Sequence, residues 1–379
     1  MPRYPQLDCL RGIAILGILL LNIVSFALPS AAYLNPAWQG VPSPIEALLW
    51  AILDLFAELK FLSILGLLFG AGLIFQLPRG LSWIRHRLLW LVVFGLLHGI
   101  LLWQGDILLA WGLTGLAVLP MVARSEESET LLRTGILFYL FGVALLVGYA
   151  LLAGHTPGSD WLPQPAEIMA ERTLKLTGGW PAIVDRFSQL DGRLAALVTQ
   201  YGWELAGLML IGAALTRSGW LLGLRSSAHY RRCCRVLLPL GILITGLGTY
   251  LQYATGWSFR WSGFWLQIPR ELGSPLLALG YIAFFHAHWQ RVNTWRITPL
   301  FIKVGRMALS NYLLQTLVCT FIFSVLGYFM LLSRAQLLAV VPLIWGINLL
   351  FSYWWLRAFR QGPLEACWRR LTRWTSPPH

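Results

Sequence analysis

Apolar stretches of about 17 to 25 residues recur along the chain and are separated by short segments that carry most of its charge. A helix rises about 1.5 Å per residue, so each stretch can cross a hydrocarbon core of roughly 30 Å. Helices satisfy their own backbone hydrogen bonds in lipid. The pattern predicts an all-α fold, a polytopic membrane bundle of about ten transmembrane helices. The predicted spans are residues 11–29, 46–77, 87–104, 106–122, 131–153, 195–216, 234–254, 270–289, 303–330 and 336–357.

The first two spans have alternative interpretations. Arg3 and Arg11 precede an apolar run that ends in a small-residue sequence at 30–32, which also fits a cleaved secretory signal. Nine further spans, and Asn22 in the middle of the segment, favour a retained helix. The second span would reach roughly 48 Å as one straight helix. We expect it to be tilted, broken, or to begin as an interfacial helix near Pro44.

Composition and charge agree with a membrane protein. Hydrophobic residues make up 57% of the chain and charged residues 12%, against about 25% charged in soluble domains. With the N-terminus inside, roughly twenty of the 29 Lys and Arg fall at cytoplasmic ends of the spans, which predicts that both termini are cytoplasmic. This topology, together with attraction to anionic lipid, explains the net charge of +13 without a nucleic-acid partner.

The cysteines indicate neither disulfides nor a metal site. Four of the five would lie on the reducing side of the membrane and the fifth, Cys319, lies within a predicted helix. Cys233-Cys234 has no second pair at metal-ligand spacing.

Residues 1–379 are predicted to form a single membrane-embedded domain with two appendages. The loop at 154–194 should be extracytoplasmic and consist of short helical pieces. Its Trp161, Trp180 and Phe187 suit a lid on the membrane interface, although a simple tether explains the loop equally well. The basic tail at 358–379 suits an interfacial anchor, or no more than a positive-inside tail.

His98 and Asp106 are the candidate catalytic residues. An ionisable group at the bilayer centre costs about 3 kcal/mol, so such residues are site candidates. His98 should lie roughly 15 Å above the cytoplasmic start of its helix, and it can exchange a proton near neutral pH. Asp106 follows the turn at Gln104-Gly105 and should return close to His98, as a helix cap or as a partner of the imidazole. A purely structural histidine is the alternative.

Four acids are candidate substrate-binding residues. Asp54 and Glu58 share a helical face, and Glu204 and Glu271 occupy outer helix ends. Together with Asp106 they predict an outward-facing acidic vestibule that would favour a cationic or amine-bearing substrate. Ordinary water-exposed groups at the interface are the alternative.

Basic and polar side chains gather at the opposite level of the membrane. Arginine matches the geometry of phosphate, so these residues indicate a phosphate-bearing cytoplasmic ligand, with lipid-facing arginines as the alternative. The candidates are Arg11, Arg85, Arg87, Arg306 and Asn311.

Several motifs in the same order resemble the YeiB-type family of bacterial inner-membrane proteins, over essentially the whole chain. The resemblance implies a multi-pass protein of the bacterial inner membrane. The motifs are Leu7-Asp8-Cys9-Leu10-Arg11-Gly12, Lys60-Phe61-Leu62-Ser63, Gly95-Leu96-Leu97-His98, Gly105-Asp106-Ile107-Leu108, Gly305-Arg306-Met307-Ala308-Leu309-Ser310-Asn311-Tyr312 and Gly362-Pro363-Leu364-Glu365.

The fold of that family is similar to that of the transmembrane acyltransferases typified by heparan-alpha-glucosaminide N-acetyltransferase. The similarity implies acyl-CoA or acetyl-CoA as cosubstrate, with its phosphates on the cytoplasmic arginines, and a small-molecule or glycan acceptor on the other side. His98 resembles the essential intramembrane histidine of that enzyme, whose assisting asparagine has no clear counterpart here. A homodimer is compatible with this interpretation.

A transporter or exporter of a small cationic solute is the second hypothesis, with His98 and the outer acids as a proton relay. The chain shows no internal repeat of the kind that many transporters have, which favours the acyltransferase.

Overall fold

The computed structural model describes residues 4–376, which form α-helices joined by short loops and contain no β-strand. Short 3-10 turns at Leu77–Arg79 and Trp265–Gln267, and π-helical turns at Leu197–Tyr201 and Phe321–Val325, extend some of the helices. In chain order the helices are α1 (Pro5–Gly17), α2 (Leu19–Ala27), α3 (Ser30–Leu34), α4 (Pro44–Phe56), α5 (Lys60–Gln76), α6 (Leu81–Leu101), α7 (Leu108–Arg124), α8 (Ser128–Leu152), α9 (Pro165–Thr177), α10 (Gly179–Ser188), α11 (Leu190–Ala196), α12 (Gly202–Arg217), α13 (Ser227–Ala254), α14 (Phe259–Ser262), α15 (Ile268–Val292), α16 (Thr298–Arg306), α17 (Ala308–Thr320), α18 (Arg334–Ala358) and α19 (Pro363–Thr375).

The predicted polytopic helical bundle is confirmed. Within residues 4–376, 8 helical segments are long and apolar enough to cross a membrane. α7, with 17 residues, is a shorter apolar helix, and α15 lies outside the set, so the count of about ten stays a prediction. The segments are Pro5–Ala27, Pro44–Arg79, Leu81–Leu101, Ser128–Leu152, Gly179–Arg217, Ser227–Ala254, Ala308–Val325 and Arg334–Ala358.

The second predicted span is broken, which is one of the three arrangements that its length allowed. α4 ends at Phe56 and α5 begins at Lys60, and between them Leu59 adopts a left-handed backbone conformation with φ of 62°. The buried Lys60 ammonium donates a hydrogen bond of 2.5 Å to the Asp54 carbonyl oxygen, which has lost its helical partner at the break. The break therefore places a hydrogen-bonded polar pair, the Lys60 ammonium and the Asp54 carbonyl group, inside the bundle.

Two close helix crossings position the groups that matter for function. A Cβ atom on Gly95 would lie 2.1 Å from the backbone nitrogen of Leu109, so α6 and α7 touch through their backbones. A Cβ atom on Gly305 would lie 1.8 Å from the carbonyl oxygen of Asp8, which shows the same contact between α16 and α1. Only glycine permits these approaches. The first crossing brings the end of α6 against the start of α7. The second brings Arg306, which follows Gly305, next to the part of α1 that contains Asp8.

Helices α9, α10 and α11, called the lid below, cover the end of α6 that carries His98. Arg186 donates from Nε to the Ile100 carbonyl oxygen at 2.7 Å, and Arg193 donates from Nη1 to the Gln104 carbonyl oxygen at 2.7 Å. These cations satisfy carbonyl groups at the end of α6 and in the loop that follows. The lid is therefore tied to the His98 hairpin by charge-assisted hydrogen bonds.

The aromatic side chains predicted to lie on the interface separate into two groups. Trp180 and Phe187 are 74% and 61% exposed on the lid, as an interfacial segment requires. Trp161 is only 4% exposed and packs with Trp50 and Trp257. The expectation for Trp161 was therefore wrong, because its indole donates to the Trp257 carbonyl oxygen inside the protein.

Candidate functional site

A cavity of about 450 Å³ opens between α1, α5, α6, α17 and α19. At one end it is lined by arginines, called the basic rim below: Arg11, Arg87, Arg306, Arg360 and Arg369. Its walls are largely apolar: Leu65, Leu68, Phe69, Leu88, Leu91 and Trp111. Its inner end is formed by Ile107, Leu108 and Tyr312. The cavity thus joins a cationic opening to an apolar interior.

Three of the predicted phosphate-binding arginines line the basic rim, and neighbouring groups orient them. Arg11 lies 3.0 Å from Asp8, and the Arg87 guanidinium stacks 3.5 Å from the centre of the Trp368 ring. Arg306 donates to a backbone carbonyl oxygen of the segment before α19 at 3.0 Å. The charge of the rim is therefore held at the cavity mouth.

The structure does not bring Arg85 or Asn311 to this cavity. Arg85 is exposed on the outside of α6. Asn311 is fully buried, donates to Ser352 Oγ at 2.8 Å and accepts a bond of 3.0 Å from the Asn348 side chain. Its amide holds α17 against α18, so the expectation that these two residues bind a ligand receives no support.

The C-terminal helix α19 forms part of the cavity wall. The Glu365 carboxylate accepts hydrogen bonds from the backbone nitrogens of Leu309 and Ser310 at 2.9 and 3.1 Å, and from the Ser310 hydroxyl at 2.5 Å. Trp368 donates from its indole to the Arg87 carbonyl oxygen at 2.8 Å. A carboxylate at a helix N-terminus is a favourable arrangement. The tail is thus tied to the basic rim and is more than an anchor on the membrane.

His98 and Asp106 meet as the sequence predicted. His98 is 2% exposed, and its Nδ1 lies 2.7 Å from Asp106 Oδ1. The second oxygen of Asp106 accepts a hydrogen bond of 2.8 Å from the backbone nitrogen of Leu109 in the first turn of α7. Asp106 therefore caps the helix and holds the imidazole together. The other ring nitrogen, Nε2, lies 3.0 Å from Oγ1 of Thr316 on α17.

Tyr312 separates the cavity from His98. Its ring lies 5.2 Å from the imidazole, and its hydroxyl oxygen accepts a bond of 3.3 Å from the Ile107 backbone nitrogen. On the other side, Asp106, Gly99 and lid residues including Arg193 line a separate space of about 30 Å³. His98 and Asp106 thus lie between a cavity open to the basic rim and a small space beneath the lid.

Asp54 and Glu58 lie in a buried ion-paired network. Asp54 accepts a bond of 3.3 Å from Arg270 and one of 2.5 Å from the Thr249 hydroxyl. Glu58 accepts a bond of 3.2 Å from the Tyr33 hydroxyl. The positive charge of Arg270 therefore compensates the charge of acids that were predicted to lie on an open surface.

Glu204 and Glu271 are buried next to this network. They are only 7% and 8% exposed, and Glu204 accepts a bond of 2.8 Å from the Gln200 side chain. The four acids are thus close together but largely shielded from solvent and shared with cations. The expectation of an outward-facing acidic vestibule receives no support, because most of these acids are buried and Arg270 and Lys60 lie among them.

The sequence did not predict a site role for Thr316, Tyr312 or Arg270. Threonine and tyrosine are common in membrane helices, and Arg270 begins a predicted span where an arginine suggests an ordinary interfacial group. Among residues 4–376, no group of three His, Cys, Asp or Glu side chains could hold a metal ion.

The fold and this site define a multi-pass helical membrane protein with a basic cavity that leads to a buried His–Asp pair. The chain is 49% identical to "Uncharacterized protein YeiB" of Escherichia coli over 98% of this chain and 97% of that protein. It is 28% identical to "Uncharacterized protein YxaH" of Bacillus subtilis, over 98% of this chain and 94% of that one. Residues 215–375 match the family described as "Protein of unknown function (DUF418)". No solved structure matches the chain. The chain belongs to the YeiB-type family.

Proposed function

We propose that this protein is a membrane acyltransferase that moves an acyl group from acyl-CoA, bound at the basic rim, to an acceptor that approaches from the lid side. One observation carries the proposal. The cavity of about 450 Å³ begins at a cluster of arginines and ends at Tyr312, against the buried His98.

The chemistry of the cavity suits acyl-CoA from end to end. Arginine side chains match the phosphates of the CoA headgroup, and the apolar walls suit its extended arm and an acyl chain. A thioester at the inner end would then lie close to Tyr312 and the His98 imidazole. This arrangement requires no ligand on the four buried acids.

His98 has the surroundings that a general base needs. Nδ1 of His98 donates a hydrogen bond to the Asp106 carboxylate, which leaves the lone pair on Nε2 of a neutral imidazole available to take a proton. In the reaction, an acceptor hydroxyl or amine replaces sulphur on the acyl carbon. His98 takes the proton of the attacking group and delivers it to the leaving CoA sulphur. Asp106 stabilises the imidazolium between the two steps.

Calorimetry with CoA and acetyl-CoA, on protein in lipid nanodiscs, tests the proposal. Arg306→Ala should weaken binding about tenfold, and added salt should weaken it further, because the contact is electrostatic. Arg85→Ala is the matched control, since Arg85 is exposed outside the cavity. Absence of CoA binding by the wild type, or equal losses in the two variants, would overturn the proposal.

Transport of a small cationic solute is the second candidate, and the network around Asp54 and Arg270 favours it. Intramembrane charges that are paired in a bundle commonly mark ion and proton pathways. Proteoliposomes with an imposed pH gradient should then accumulate radiolabelled choline or spermidine, and Asp54→Asn should abolish uptake. If the protein takes up choline or spermidine in liposomes and fails to bind CoA, transport is favoured over acyl transfer.

A further inference from the structure

Thr316 completes a chain of hydrogen bonds with His98 and Asp106. The three side chains come from α17, α6 and the loop before α7, and Thr316 is separated from His98 by 218 residues in sequence. Thr316 is 1% exposed and His98 2%. The imidazole lies 3.0 Å from the Thr316 hydroxyl and 2.7 Å from the Asp106 carboxylate. A hydroxyl, an imidazole and a carboxylate in this order form the arrangement of an activated nucleophile.

The hydrogen bonds determine the direction of proton transfer in this chain. Asp106 already accepts from the Leu109 backbone nitrogen, and its other oxygen accepts from His98 Nδ1. A neutral imidazole then carries its proton on Nδ1 and presents a lone pair at Nε2. The Thr316 hydroxyl can therefore donate to Nε2, which is the geometry that removes a proton from a nucleophilic oxygen.

A helical threonine usually bonds to the carbonyl four residues earlier, which is the simpler explanation of its burial. Thr216 and Thr372 do this at 2.7 Å. The corresponding distance from Thr316 to the Tyr312 carbonyl oxygen is 3.4 Å, longer than its contact with His98. The imidazole is therefore the principal partner of the Thr316 hydroxyl.

Thr316 also lies close to the route of the acyl donor. It follows Tyr312 by one helical turn, so both side chains share a face of α17. Tyr312 lines the inner end of the cavity, and its ring lies 5.2 Å from the His98 ring. The Tyr312 side chain would therefore have to move for a thioester in the cavity to reach the hydroxyl.

We propose that Thr316 carries the acyl group as an ester between the two halves of the reaction, an inference that rests on the proposed acyltransferase function. The Thr316 oxygen attacks the thioester carbonyl carbon, His98 takes the hydroxyl proton, the C–S bond breaks, and the CoA sulphur leaves with that proton. The acceptor hydroxyl or amine then attacks the ester carbon and gives its proton to His98, which returns it to the Thr316 oxygen. Donor and acceptor thus react in turn and never need to meet.

The test is acylation of the full-length protein in nanodiscs with acetyl-, succinyl- and palmitoyl-CoA in parallel, without acceptor. The reaction is quenched in acid, which preserves esters, and analysed by mass spectrometry of the intact chain and of its peptides. We expect about one acyl group per chain, on the peptide that contains Thr316, with release of an equal amount of CoA. Thr316→Ser should retain the label, whereas Thr316→Val and His98→Gln should each reduce it at least roughly tenfold.

Thr320→Val is the matched control, because it places the same substitution one turn further along α17, and it should label like the wild type. Calorimetry of the same preparations separates the possible failures. Wild type that binds an acyl-CoA but carries no label, or a label on another residue, overturns the acyl-threonine and leaves the acyltransferase intact. Wild type that binds none of the three overturns the proposed function, and this inference with it. Thr316→Val that binds acyl-CoA and still carries the full label excludes Thr316 as the site of attachment.

Discussion

His98 is held by hydrogen bonds at both ring nitrogens, so its orientation is determined before any substrate arrives. We expect His98→Ala to lower acyl transfer by about 10²-fold or more, because a general base contributes on that order to the rate. CoA binding should stay unchanged, since His98 does not line the cavity. Release of CoA and calorimetry measure the two effects. Full activity in His98→Ala, or loss of CoA binding in a folded His98→Gln, would show that the residue has a structural role only.

Asp106 has two tasks, and two substitutions separate them. Asp106→Asn retains an acceptor oxygen for the Leu109 nitrogen but removes the charge that stabilises an imidazolium. We expect turnover to fall about tenfold to a hundredfold, less than in His98→Ala, with little change in melting temperature. Asp106→Ala should also lower stability by about 1 kcal/mol, because the cap is lost. Equal stability of the two variants in thermal unfolding would contradict the capping role.

At this scale, the sequence predicts contacts within one hairpin better than contacts between distant segments. The tight turn at Gln104-Gly105 reverses the chain, so Asp106 must lie close to His98. Asn311 was assigned to the ligand site because a single sequence does not distinguish a polar residue that binds a ligand from one that bonds to another helix. In the structure its partner is Asn348 on α18. Thr316 escaped notice because its partner, His98, lies on another helix.

The contact between α19 and α17 depends chiefly on the Glu365 carboxylate. Glu365→Ala would leave the Ser310 hydroxyl and two backbone nitrogens without their acceptor, which we expect to cost about 1 to 3 kcal/mol. α19 should then detach, and limited proteolysis should cut faster in the segment at 359–362. Glu129→Ala on an exposed turn of α8 is the control, and the protease should cleave this variant at the wild-type rate. Unchanged cleavage in Glu365→Ala would show that other contacts hold the helix.

The lid should respond to pH through Lys175, which donates to the Gln104 side chain at 3.0 Å. Burial lowers the pKa of Lys175 to about 8, whereas a lysine in an open lid would have a pKa of about 10.4. Between these values the open lid binds more protons than the closed one. Closure is therefore disfavoured below about pH 8 and gains stability as the pH rises toward 10.

Spin labels at Val41 and Phe187, in a background without cysteines, report this closure as a change in distance. We expect the short-distance population to increase between pH 7 and about pH 9.5 in the wild type. Lys175→Met preserves the length of the side chain without a titrating group, so its distances should not change with pH. The same pH response in both proteins would exclude Lys175 as its origin.

For the whole molecule, the charge asymmetry predicts that the basic rim is cytoplasmic and the lid extracytoplasmic. A cysteine introduced as Ser159→Cys should react with an impermeant maleimide in intact spheroplasts. Arg373→Cys on α19 should react only after lysis. The reverse pattern would invert the topology and place the basic rim on the side of the membrane that has no CoA.

The bundle could be predicted from hydropathy because lipid restricts the chain to helices. The positions at which helices break within a span could not be predicted in this way. The second span was suspect on length alone. The predicted ninth span, 303–330, is also longer than one crossing needs, but its length does not locate the break, which falls at Met307 between α16 and α17. The pairing of Arg270 with Asp54, 216 residues apart, depends on the arrangement of α15 against α4, which hydropathy does not report.

The cavity and the space beneath the lid have no lining residue in common, and His98 and Asp106 lie between them. In the proposed reaction an acyl group moves past this point toward the acceptor, and one proton moves the other way, from the acceptor to the CoA sulphur. For an uncharged acyl group such as acetyl, this exchange carries no net charge. Sodium ions and hydrated protons would find no continuous aqueous path along the same route. The protein could therefore export acyl groups throughout growth while the membrane keeps its electrical insulation, and respiration would not have to compensate for a leak.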